Sequence, residues 1–138
     1  MNNAYLVSVS QKNKNMAPSE LDSILKSNVV DLRFVRKVQV RNKPPTRRML
    51  CTKNNELLTS NNGLLSLNYR APVFAPKYNP AAEGLVIAWD IFMQDFRNIW
   101  AETVTIINTI PANDQFWEYF NNELRLLSPQ EKMRFMAS

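Results

Sequence analysis

Histidine is absent from the 138 residues. That removes the commonest general base, every Ser-His-Asp or Cys-His site and every His-containing metal site. Only two glycines occur, Gly63 and Gly84, too few for a phosphate-cradling P-loop or a dinucleotide-binding turn. The lone cysteine, Cys51, excludes an internal disulfide and a thiolate zinc cluster, and it reads as a small core residue rather than a nucleophile. No apolar run reaches the roughly 20 residues that a bilayer span needs. The charge-free stretch at residues 103–113 is interrupted by Thr103, Thr105, Asn108 and Thr109. The opening residues Met1, Asn2, Asn3 and Ala4 show neither a basic-then-apolar signal sequence nor a myristoylation glycine. These absences lead us to expect no catalytic residue, no metal and no cofactor.

What is present suits one globular domain spanning residues 1–138. Hydrophobic residues make up 45% and charged residues 21%, a balance that buries a core rather than leaving a disordered chain. The charge is divided unevenly. Residues 1–80 carry 13 cations against 4 acids, or +9, and residues 81–138 carry 4 cations against 8 acids, or −4. Such asymmetry implies a basic surface for phosphate or anionic lipid beside a part with another task.

Element patterns point to an α+β fold, a mainly antiparallel sheet with short helices near the N-terminus and at the C-terminus. Residues 5–9 read as a first strand. Residues 18–28 read as a helix capped by Ser19, burying Leu21, Ile24 and Leu25. Residues 32–41 alternate as a strand, with Leu32, Phe34, Val38 and Val40 on one face, interrupted by Arg36. Residues 48–52 and 56–60 read as strands, and Asn62-Gly63 as a hairpin turn returning into 64–69. Residues 71–80, with Pro72, Pro76 and Pro80, read as an extended arm. Residues 84–93 are apolar on both faces except at Asp90, which predicts a central strand, with a helix over 85–96 as the alternative. Residues 103–110 form a strand with Val104, Ile106 and Ile110 on one side. Two helices follow: one over 114–127, capped by Asn113 or Asp114, and one opened by Ser128, Pro129 and Glu131 as a capping box.

On the strand over 32–41, Arg33, Lys37 and Arg41 fall in one line about 13 Å apart, and Lys43, Arg47 and Arg48 extend it. With Phe34, Tyr69, Phe74 and Tyr78 interleaved, the stripe is a candidate nucleic-acid site, RNA favoured. An anionic membrane surface is the alternative anionic partner. Trp117, Phe120, Phe135 and Met136 exceed what two short helices need, and we assign them to a partner or self-association surface. Head-to-tail contact between the +9 and −4 parts would make this a homo-oligomer. Asp90, Asp95, Glu83 and Glu102 are the acids from which a nuclease metal site could be built; an ion-paired structural role for Asp90, with Arg97 as partner, is the favoured reading.

Three segments share their order with one family. A strand ending Val38-Gln39-Val40-Arg41-Asn42-Lys43-Pro44-Pro45, the β segment 103–110, and the terminal pattern Phe116-Trp117-Glu118-Tyr119-Phe120-Asn121 followed by Glu131-Lys132-Met133-Arg134-Phe135-Met136 together resemble matrix proteins of rhabdoviruses, over about a third of the chain. Pro44-Pro45-Thr46-Arg47 departs from that family's PPxY budding motif, and its lysine-rich N-terminal tail is nearly missing. The resemblance implies a small basic viral protein that binds nucleocapsid and the inner membrane leaflet and self-associates, in host cytoplasm or virion. Seventeen asparagines fit the A/T-rich coding of many small viruses. A viral accessory or movement protein acting through its C-terminal aromatic surface is the alternative.

Overall fold

Two apolar clusters lie on opposite faces of one curled antiparallel sheet, and the sheet's alternation sorts side chains between them. The computed structural model describes residues 7–8, 15–39, 41–68 and 79–138. Its strands are β1 (Val7–Ser8), β2 (Asn28–Val35), β3 (Thr46–Thr52), β4 (Leu85–Asp90), β5 (Asp95–Trp100) and β6 (Thr105–Pro111). They are ordered β1-β6-β2-β3-β4-β5, with every neighbouring pair antiparallel. The helices are α1 (Pro18–Ser27), α2 (Asn55–Thr59), α3 (Asn61–Ser66), α4 (Asp114–Asn122) and α5 (Pro129–Ala137). This is a single α+β domain with helices near both ends, as the sequence patterns require. No helix among the described residues is long and apolar enough to cross a membrane.

The first cluster packs α1 against one face: Leu21 and Leu25 meet Val30, Leu32, Phe34, Met49, Cys51, Val86, Ala88, Ile99 and Ile106. On the other face Val29, Leu50, Trp89 and Ile110 meet α2 and α4 through Leu57, Leu58, Phe116, Trp117 and Phe120. β4 feeds both clusters, Val86 and Ala88 into one and Trp89 into the other, which Ile91 joins just past the strand's end. Residues 85–90 are therefore the doubly covered strand that their apolar run predicts, and the helical alternative over 85–96 falls away. Ser128 accepts from the Glu131 amide at 3.1 Å while Glu131 accepts from the Ser128 amide at 2.9 Å, so the capping box that opens α5 is present as read.

Several expectations are corrected. Ser19 does not cap α1; Ala17 holds that position with Pro18 first in the helix. At the other end the freed carbonyls accept from side chains, Ile24 from Asn28 Nδ2 (3.0 Å) and Leu25 from Thr52 Oγ1 (3.1 Å). β2 begins four residues earlier than expected and ends at Val35, because its partner β3 starts only after Pro44 and Pro45, which have no amide to donate. Val38, placed on one face with Leu32 and Phe34, is 77% exposed while those two are buried. In β6 the register skips Ile107 between Asp31↔Asn108 and Leu32↔Ile106. That bulge puts Ile106 in the first cluster and Ile110 in the second, although alternation places them together. The helix expected over 114–127 ends at Asn122, followed by a 3-10 turn over Leu124–Leu126. The arm assigned to 71–80 lies outside the described residues up to 78, and of the strand at 5–9 only Val7 and Ser8 are described. β5 has no counterpart among the strands that the sequence patterns predict.

The hairpin centred on Asn62-Gly63 is a pair of helices. Asn54 caps α2 by accepting from the Leu57 amide (2.8 Å), and Ser60 caps α3 by accepting from the Gly63 amide (3.0 Å). Residues 56–60 and 64–66 are consequently helical or capping rather than strand. Gly63 is required by proximity, not by a positive φ. A Cβ there would lie 2.7 Å from the Leu58 carbonyl oxygen and closer still to that of Leu57. Helix propensity alone predicts that Gly63→Ala gains up to about 1 kcal/mol. We expect the reverse, a loss of about 1–3 kcal/mol from overpacking against backbone, read as a lower urea midpoint at unchanged slope. A stabilised variant would show that α2 and α3 can move apart freely.

Candidate anion-binding groove

The structure does not keep the six predicted cations in one line. Arg47 is buried and ion-paired with Asp90, its Nη2 also 3.4 Å from the Met136 sulfur. Arg48 grips Asp31 with two hydrogen bonds of 2.8 and 2.7 Å and lies over the Phe135 ring at 4.4 Å. Its hydrogen bonding to Asp31 outweighs burial and raises the guanidinium above its usual value. Arg33 donates twice to the Ser138 carbonyl, at 3.1 and 2.9 Å. Arg47 and Arg48 are thus held by carboxylates within the fold, and Arg33 by a backbone carbonyl. Lys37 is exposed, donates to the Glu83 carbonyl and sits 5.7 Å from the centre of the Trp100 ring. Arg41 and Lys43 are exposed in the loop joining β2 to β3.

Of the aromatics set beside the stripe, Phe34 is core, and Tyr69, Phe74 and Tyr78 lie outside the described residues. Trp117 and Phe120, assigned to a partner surface, are 1% and 5% exposed and belong to the second cluster. Phe135 is half-buried edge-on to Phe92 at 5.2 Å, and Met136 is half-buried beside Arg47. Trp117 and Phe120 are therefore core, a correction, while Phe135 and Met136 keep part of their surface accessible.

Asp90 is a structural acid, but its partner is Arg47 rather than Arg97. Its Oδ1 accepts from the Phe92 and Met93 amides at 3.0 and 3.1 Å, closing the turn into β5. Arg97 pairs instead with Asp95 at 2.8 Å. Asp90 and Asp95 are register partners, yet each carboxylate is held by a different arginine. Among the described residues no three acids or cysteines gather as a metal site.

A different cationic site emerges where the sheet curls. The end of β2 and the following loop approach β5, leaving a groove of about 430 Å³ lined by Phe34, Arg36, Lys37, Arg47, Arg97 and Trp100, with Glu83 as the acid among its lining residues. Arg36 donates Nε to the Pro44 carbonyl at 3.3 Å, and among the described residues no carboxylate pairs with it. Partial burial, then repulsion from Arg47 and Arg97, lowers its guanidinium below the usual arginine value. An anion seated there would relieve that repulsion. Sequence patterns did not point to Arg36, Arg97 and Trp100 as site residues; the one local signal was Arg36 interrupting an otherwise apolar face.

No protein-family model, curated protein or solved structure matches the chain.

Proposed function

We propose that this protein binds nucleic acid through its phosphates, using the groove between β2 and β5. Arg36 carries the reading: a cation held among other cations, paired with no described carboxylate, at the mouth of a groove. Lys37 shares the groove, and Arg41 and Lys43 continue the positive surface along the exposed loop. Arg47 and Arg97 are already ion-paired, so they contribute field more than direct bonds to phosphate. RNA carried on a nucleoprotein fits this surface and is the partner that the likeness to matrix proteins suggests.

Binding of this kind releases counterions, so affinity falls as salt rises. We expect affinity for an unstructured RNA to drop about ten-fold or more between 50 and 200 mM salt. Replacing Arg36 and Lys37 together by Gln should reduce the log–log slope by about 1.4, roughly 0.7 for each single-strand phosphate that is no longer neutralised. Arg33→Gln, at a residue that does not line the groove, should leave the slope unaltered. Fluorescence anisotropy across a salt series measures all three. An unchanged slope in the paired variant removes the groove from the proposal.

A further inference from the structure

Among the described residues, Trp100 is the one aromatic that neither apolar cluster includes. It ends β5 and is half-buried. Its indole borders both the cationic groove and an adjoining depression of about 380 Å³ lined by Met16, Pro18, Gly84 and Glu102. On one side Lys37 stands over the ring. On another, Gly84 brings only backbone: a Cβ added there would reach van der Waals distance of the indole, 3.8 Å from Cδ1 and Nε1. The half-buried indole thus lines the same groove as Arg36 and Lys37.

We infer that Trp100 is a stacking platform for an unpaired base, so that the ligand class is single-stranded nucleic acid. This rests on the phosphate-binding reading above and narrows it. A duplex keeps its bases stacked on one another, and a groove of this size admits a nucleotide rather than a helix. Cations along the backbone and an aromatic face beneath a base are the two parts of sequence-tolerant single-strand binding. A polyanion without bases would use only the first.

The three tryptophans make this measurable. Trp89 and Trp117 are 3% and 1% exposed, which leaves Trp100 as the indole that a ligand can quench. The protein is titrated with a mixed-sequence 12-nucleotide single strand, the matching duplex, heparin, AMP and vesicles containing phosphatidylserine. We expect saturable quenching by the single strand at far lower concentration than by AMP, with little quenching by heparin even where heparin binds. Trp100→Ala should weaken the single strand about ten-fold or more and leave heparin affinity unchanged. Trp100→Phe should retain most of the binding, which separates stacking from misfolding. Equal affinity for single strand and heparin, both indifferent to Trp100→Ala, overturns the stacking while sparing the phosphate reading. AMP binding as tightly as the 12-mer overturns the polymer in favour of a mononucleotide. Vesicle binding with no response to any nucleic acid overturns both readings in favour of a membrane surface, and no binding to any probe overturns both outright.

Discussion

Asp90→Ala should lose about 3–5 kcal/mol of stability, the range for removing one partner of a buried ion pair. Arg47 and Asp90 are 7% and 1% exposed, so the guanidinium left behind has little water to solvate it. The same carboxylate holds the turn between β4 and β5 through two amides, at 3.0 and 3.1 Å, and that anchor goes too. Asp90→Asn separates the two losses. It can keep the amide bonds through its carbonyl oxygen but supplies no charge, so its cost should be smaller. Replacing both partners, Arg47→Met with Asp90→Leu, should recover much of the loss, because the larger part is the desolvated charge left alone. Urea denaturation of the three variants decides the order. An Asp90→Ala protein within about 1 kcal/mol of the parent would mean that Arg47 reaches solvent freely. It would then return to the set of cations available for phosphate.

What was legible in the chain was whatever is encoded within a few residues. Ser128, Pro129 and Glu131 specify a helix start by hydrogen bonds three residues long, and that start is present. The apolar run of β4 announces burial on both faces because no other strand position tolerates it. The failures lie where a local signal competes with a neighbour distant in sequence. Asn62-Gly63 is a good hairpin pair in isolation, yet Asn54 and Ser60 cap two helices too short for apolar periodicity to reveal. The alternation of β2 runs past its true end because the prolines that stop it stand just ahead of the partner strand. One bulged residue in β6 reverses the face of all that follows.

The site was less legible than the fold for the same reason. Arg33, Lys37 and Arg41 are in line only if the strand continues to residue 41, and it ends at Val35. Arg36 and Arg97 are sixty-one positions apart in the chain and meet because the sheet curls β5 toward β2. Charge asymmetry located the half of the molecule that carries most of the groove's cations. It could not tell which of them the fold would neutralise.

Trp117→Ala should be as damaging as the loss of Asp90, and for an apolar reason. The indole stands edge-on to Phe116 and Phe120, with ring centres at 4.9 and 5.5 Å, and is nearly solvent-free. Truncating a buried aromatic to alanine costs about 3–5 kcal/mol, through forfeited transfer energy and the cavity left behind. Its Nε1 also donates to the Leu57 carbonyl at 3.0 Å, the oxygen that a side chain at position 63 would strike. Removing the indole therefore frees the corner where α2 meets α3, and Leu57 loses a buried donor at about 1 kcal/mol. Trp117→Phe keeps a ring in the cluster but not the donor, so it should fall between the parent and the alanine variant. The measurements are urea midpoints, with sedimentation velocity on each variant that folds. If this residue joined one copy to another, Trp117→Ala would leave the monomer's stability intact and abolish oligomers. The burial in the second cluster requires the opposite: the monomer is weakened, and any association that the parent shows persists in Trp117→Phe. A Trp117→Ala protein as stable as the parent would place the indole outside the core and restore it to an interface.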